Sequence, residues 1–136
     1  MRFAVSHTIE NAYWSSVVTL LNAQAGAGKA LLYSGPVPSR GTAATVANTL
    51  IASFDLQKPA EASITGGVLT LASIDPATVL SSAAHTYAAF VDGSGAWVAH
   101  CDTGTAGSGA AWVWNAASYT VGGILVPTTL TLRFPA

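Results

Sequence analysis

Near the start of the chain apolar residues recur with helical spacing, and from about residue 30 the period shortens to that of strands. Ile9, Tyr13, Val17, Leu20 and Leu21 fall near one face of a helix over residues 7–23, with Asn11, Ser15, Ser16 and Asn22 largely elsewhere. Ser6 or Thr8 offers the N-cap oxygen, and Trp14 beside Tyr13 is placed to pack the helix onto a sheet. The stretch Ala25-Gly26-Ala27-Gly28 ends that helix and lets the chain enter a strand at residues 30–33.

Beyond this point alternation dominates. Leu50, Ala52, Phe54 and Leu56 alternate with Ile51, Ser53, Asp55 and Gln57, which describes a strand with one dry face. Residues 68–73 form another, introduced by Gly66-Gly67. Residues 87–91 and 96–101 are joined by Asp92-Gly93-Ser94-Gly95, whose residues supply the dihedrals of a hairpin turn. Trp112 and Trp114 share a face around Val113. Leu130, Leu132 and Phe134 alternate with Thr129, Thr131 and Arg133, giving the last strand one solvated or subunit-facing side.

About seven or eight short strands behind one helix predict an all-β fold, a β-sandwich with jelly-roll-like or Greek-key topology preceded by one short N-terminal helix. A single domain is expected over residues 1–136, with the sandwich spanning residues 30–136. Residues 35–48 break the pattern. Gly35, Pro36, Pro38, Arg40 and Thr42 lead a run of Thr and Ala without apolar period, so this segment is expected to be an extended loop or arm that reaches a partner.

Composition narrows the function more than any motif does. Five basic and six acidic side chains make up 8% of the 136 residues, against roughly 25% in an ordinary soluble domain. A net charge of -1 gives no field to steer nucleic acid or an anionic membrane, so neither is an expected partner. The mean hydropathy is +0.47, yet no stretch reaches the roughly 18 apolar residues of a membrane helix. The start Met1-Arg2, the apolar residues 17–21 and Ala23-Gln24-Ala25 imitate a secretory signal, but Glu10 and Asn11 interrupt it and cleavage is not expected. A surface of Ser, Thr, Gly and Ala sheds few ions when a partner covers it.

The scarce reactive side chains do not form a recognisable catalytic set, and no enzymatic activity is expected. His100, Cys101 and Asp102 are consecutive on a predicted strand and point to alternate faces, so Cys101 is expected in the core on the side of Trp97 and Ala99. His7, His85, His100 and Cys101 lack the paired spacing of a zinc site, and the acidic residues are scattered singly; no metal and no cofactor is expected. Gly26-Ala27-Gly28-Lys29 follows a helix, precedes a strand and is continued by Ala30, the reverse of a phosphate loop. Trp112 and Trp114, with Trp97, read first as core or oligomer-interface residues and second as a platform on which a sugar ring stacks.

Several stretches taken in order resemble a family of small virion proteins of tailed bacteriophages and prophages. These are Leu20-Leu21-Asn22-Ala23 with its Gly/Ala linker, and Leu31-Leu32-Tyr33-Ser34-Gly35-Pro36. The strands at residues 50–56 and 66–72, the hairpin at residues 86–102 and Tyr119-Thr120-Val121-Gly122-Gly123 before the last strand continue the likeness. It departs from the family pattern at Ala88-Ala89 and at Gly122-Gly123. The resemblance implies a non-enzymatic structural protein, most like a capsid cement or decoration protein on the outer surface of the virion, made in the host cytoplasm. Its implied partners are the major capsid protein or other virion subunits, and a homo-oligomer, trimer or dimer, is expected. The alternatives are a tail-associated or head-tail connector protein and, third, a carbohydrate-binding module. Gly35, Pro36, Pro38, Arg40, Thr42, Trp112 and Trp114 are the expected partner-binding residues.

Overall fold

A computed structural model describes residues 4–39, 44 and 47–133. It is mostly β, with one N-terminal helix and curled sheets sharing a core, the sandwich-like architecture expected from the alternation.

Helix α1 spans His7–Leu21. Ser6 caps it by accepting from the Ile9 amide at 3.4 Å. It stops at Asn22, short of the expected residue 23, because that side chain is engaged elsewhere. Asn22 donates to the Glu61 carboxylate at 3.0 Å and accepts from the Ala60 amide at 2.9 Å. The packed face is Trp14, Val17, Val18 and Leu21. Ile9, Tyr13 and Leu20, assigned to that face by periodicity, are instead exposed. The rotation has a local cause: Trp14 donates its indole N–H to the Gly67 carbonyl at 2.9 Å, and the Gly67 amide donates to Asn11 Oδ1 at 2.8 Å. A polar and an aromatic side chain thus set the roll of the helix.

The main sheet contains β1 (Lys29–Ser34), β2 (Leu50–Asp55), β6 (His85–Val91), β7 (Trp97–Thr105) and β8 (Trp112–Trp114), in the order β2-β1-β6-β7-β8. A second sheet, ordered β10-β4-β3, joins β3 (Glu61–Thr65), β4 (Val68–Leu71) and β10 (Thr131–Arg133). The short strands β5 (Ala77–Thr78) and β9 (Ile124–Leu125) pair with each other. After β2 the chain visits the second sheet and returns to lay β6 beside β1, the non-sequential neighbouring typical of Greek-key connections. One apolar cluster unites the layers: Leu32, Phe54 and Phe90 from the main sheet meet Leu69 and Leu71 from the second, with Val18 and Leu21 closing one side.

Two irregularities decide which side chains β7 and β8 present to each face of the main sheet. Phe90 pairs with Ala99 but Val91 pairs with Trp97, so Val98 is an extra residue in β7. This bulge inverts the alternation. Cys101 and Ala99 pack on the core as expected, whereas Trp97 crosses to the opposite face, where its ring lies 5.6 Å from that of His100. The second irregularity is that β8 runs parallel to β7, pairing Thr103 with Trp112 and Thr105 with Trp114. A crossover of a dozen or more residues is the usual route to parallel pairing. Here residues 106–111 suffice because the return loop lies against Gly104, where a Cβ would meet Ser108 Oγ at 2.4 Å. Asp102 holds the end of the loop, accepting from the Ala111 amide at 2.9 Å.

Candidate partner-binding surface

The segment between Ser34 and Leu50, of which residues 40–43 and 45–46 lie outside the described residues, is closed at its base by a neck of hydrogen bonds. The Ser34 amide donates to the Thr49 carbonyl at 3.0 Å. Asn48 Nδ2 donates to the Ser34 and Pro36 carbonyls at 3.0 and 2.8 Å, and Thr86 Oγ1 donates to the Gly35 carbonyl at 2.7 Å. Gly35 has φ +86° and its Cα faces the Ala47 carbonyl so closely that a Cβ would approach to 2.4 Å, so no other residue serves there. Pro36 is exposed and Pro38 half-buried, while Arg40 and Thr42 lie outside the described residues. Gly35 and Pro36 are therefore parts of the neck, and Gly35 acts through backbone geometry rather than as a contact surface.

Trp112 and Trp114 occupy a different place from the one a partner-binding role requires. They are 2% and 7% exposed, their rings are 4.9 Å apart, and both lie within 6 Å of the Phe54 ring. As partner-contacting residues they are corrected to core residues, because β8 turns both indoles inward and only Val113 outward. The sugar-stacking reading fails for these two on the same ground. An aromatic strip does cross the outer face of the main sheet: Tyr33 stacks on Tyr87 at 5.3 Å, Tyr87 meets His100 at 6.2 Å, and Trp97 follows. Within it Tyr87 is buried, while Tyr33, Trp97 and His100 are half-buried.

His85 belongs to neither surface. Its Nε2 faces the Ala116 carbonyl at 2.7 Å, which only accepts, so Nε2 carries the proton and Nδ1, 2.8 Å from Thr103 Oγ1, accepts from that hydroxyl in the neutral ring. The imidazole also stacks on Tyr119 at 6.3 Å. Both nitrogens are thus engaged in holding β6 to β7 and to the segment after β8.

The remaining reactive residues stay apart. His100 contacts Tyr87 and Trp97, Cys101 packs on the core and Asp102 holds the return loop. Burial first, and the negative charge of Asp102 second, push the Cys101 thiol up to about 12, far from the thiolate a nucleophile needs. Among the described residues no three His, Cys, Asp or Glu side chains converge as a metal site, and no helix is long and apolar enough to cross a membrane. Lys29, after the glycine-rich linker, pairs with Asp55 on the adjacent strand.

Among the described residues, two concavities bear on the choice of a binding surface. One, of about 160 Å³, lies between α1 and both sheets, with Trp14, Val17, Leu71 and Phe90 in its walls and Arg133 at its lining. The other, of about 340 Å³, lies beside β8 and is lined by Val113, Trp114, Tyr119, Ile124, Leu125 and Val126. Val113, Ile124 and Val126 are 43%, 65% and 70% exposed. Sequence reasoning passed over Ile124 and Val126 because they sit in a two-residue strand and its continuation, where no alternation can build. The available signal was charge: residues 103–132 contain no Asp, Glu, Lys or Arg.

Comparison of the chain with protein-family models, with curated proteins and with solved structures finds no match.

Proposed function

We propose that the chain is a non-enzymatic structural protein of a bacteriophage virion, most like a capsid cement or decoration protein that binds the outer shell and stabilises contacts between major capsid proteins. The reading begins from the resemblance carried by the helix, the Tyr33-Ser34-Gly35 strand end and the hairpin around Asp92. The observation that best supports it is the placement of exposed large apolar side chains. Val113, Val121, Ile124 and Val126 all stand in the uncharged stretch of residues 103–132. Such surface is unfavourable to leave in water and loses few hydrated ions when covered, the combination expected of a subunit that works inside an assembly. The closed neck at Ser34 and Asn48 supports a partner-contacting role for the segment it bounds.

The test is co-sedimentation of the purified chain with capsids of the encoding phage prepared without it. Saturable binding and a raised melting temperature of the shell are expected. Failure to bind shells overturns the capsid assignment, and binding to isolated tails instead establishes the tail-associated alternative.

A further inference from the structure

We infer that the cavity between α1 and the two sheets binds a small monocarboxylate, whose apolar body of about six carbon atoms fills the cavity while its carboxylate pairs with Arg133. This inference stands on the cavity alone and does not require the capsid reading.

The first ground is that the fold holds the cavity open. Among the described residues, every hydrogen bond from α1 and its C-cap to a sheet goes to the β3–β4 hairpin or the residue before it. Asn11 and Trp14 bond to Gly67, and Asn22 bonds to Ala60 and Glu61. The helix is thereby pinned to the second sheet toward both of its ends. On the main-sheet side the cavity is bounded by Ala99 and Cys101 of β7, whose side chains are short. Small residues on one side and a helix fixed from the other leave a volume that neither can close.

The second ground is size. Leu69, Leu71 and Phe90 are buried and form the floor, whereas the exposed Tyr13 and Arg133 mark the mouth. The volume is about 160 Å³. An apolar cavity of about 150 Å³ takes one benzene-sized molecule, which limits the body of the ligand to about six carbon atoms. A strand of peptide or a long acyl chain cannot enter whole.

The third ground is the charge at the mouth. Lys29 pairs with Asp55, and Lys58 donates to the Gln24 and Ala25 carbonyls. Of the Lys and Arg side chains among the described residues, only that of Arg133 engages no protein group there. No Asp or Glu among those residues lines the cavity. A carboxylate matches the guanidinium fork with two parallel hydrogen bonds, an amine meets like charge, and a neutral molecule of the same body forgoes the ion pair.

Amide NMR titration of the full chain with hexanoate, benzoate, 1-hexanol and acetate tests this. At least one of the two acids is expected to bind saturably, with a Kd on the order of 1 mM and shifts centred on Trp14, Val17 and Ala99. The tighter acid shows whether the body is a chain or a ring. Binding should be about fivefold or more tighter than that of 1-hexanol, which has the body without the charge, and of acetate, which has the charge without the body. Arg133→Gln, at an exposed position, is expected to weaken the acids about fivefold and leave 1-hexanol unchanged. Val17→Phe, which enlarges the helix wall of the cavity, is expected to abolish binding with the fold intact by far-UV circular dichroism. R133Q carries the test alone if V17F does not fold. No saturable binding of either acid, shifts centred elsewhere, 1-hexanol or acetate binding as tightly as the acids, or a folded variant of either kind that binds them as before overturns the inference.

Discussion

Trp14 and Gly67 are joined by a 2.9 Å hydrogen bond from the indole N–H to the backbone carbonyl, and this contact, together with the bond from the Gly67 amide to Asn11 Oδ1, sets which face of α1 meets the second sheet. The Trp14→Phe variant keeps an aromatic ring in the helix interface but leaves that carbonyl without its donor. A loss of about 1–2 kcal/mol in unfolding free energy is expected, read from urea denaturation. An unchanged midpoint would show that packing of the ring, and not the bond, sets the roll of the helix.

His85 and Thr103 should be energetically coupled. Thr103→Val replaces the hydroxyl by a methyl group of similar size and strands His85 Nδ1 in a buried site. The expected cost is about 1–3 kcal/mol. A double-mutant cycle with His85→Ala should give a clearly non-additive sum; additivity within experimental error would mean that the pair does not act as a unit.

Tyr87 is predicted to behave in the opposite sense. Its hydroxyl is buried and has no hydrogen-bond partner among the described residues, and burial, followed by the neighbouring Tyr33, raises its pKa. Removing an unpaired polar atom relieves a desolvation cost, so Tyr87→Phe should keep or raise stability by about 1 kcal/mol in thermal unfolding. A marked loss would reveal a partner for the hydroxyl.

The Asp92 turn supplies a pH dependence. The Ser94 hydroxyl first, aided by the amides of Ala96, Ser94 and Gly95, holds the Asp92 carboxyl below the usual aspartate range; desolvation, the second-largest influence, opposes them and is outweighed. Because the folded-state pKa is the lower one, the stabilisation is present above the unfolded-state pKa and is lost as pH falls through the folded-state value. Urea midpoints followed from neutral pH into acid should therefore decline in the unsubstituted protein. Asp92→Asn should remove part of that decline; an identical acid slope in both would deny Asp92 any part in it.

Cys101 should resist alkylation. With its thiol pushed up to about 12, almost no thiolate exists near pH 8, so iodoacetamide should modify the folded chain slowly and the urea-unfolded chain readily. Rapid stoichiometric labelling of the folded protein would contradict the packing of Cys101 on the core.

The legible parts of the sequence were those in which one physical signal acted alone. The alternation at Leu50, Ala52, Phe54 and Leu56 marked β2, and Asp92-Gly93-Ser94-Gly95 marked the β6–β7 turn, because strand period and turn dihedrals are local properties. Where two signals compete, the local pattern does not decide between them. On α1, Ile9-Tyr13-Leu20 and Trp14-Val18-Leu21 are both helically spaced, and the choice between them is made by Gly67, more than fifty residues away. In β7 the bulge at Val98 leaves no mark in composition, yet it moves Trp97 to the other face. Strand β3 has only Ile64 as a large apolar residue, too little to show a period. Trp112 and Trp114 share one face, as their spacing around Val113 implies, but whether that face is dry depends on β8 returning parallel to β7.

The neck between Ser34 and Leu50 has a consequence for the length of the segment it bounds. Bonds from Ser34, Thr86 and Asn48 fix the two ends of the segment relative to the sheet, so the entropy of bringing those ends together is already met by residues that belong to the fold. By loop entropy alone, a doubling of the chain between Ser39 and Ala47 costs about 0.6 kcal/mol, so variants that differ in the length of that segment are expected to keep the register of β1 against β2, Lys29 opposite Asp55.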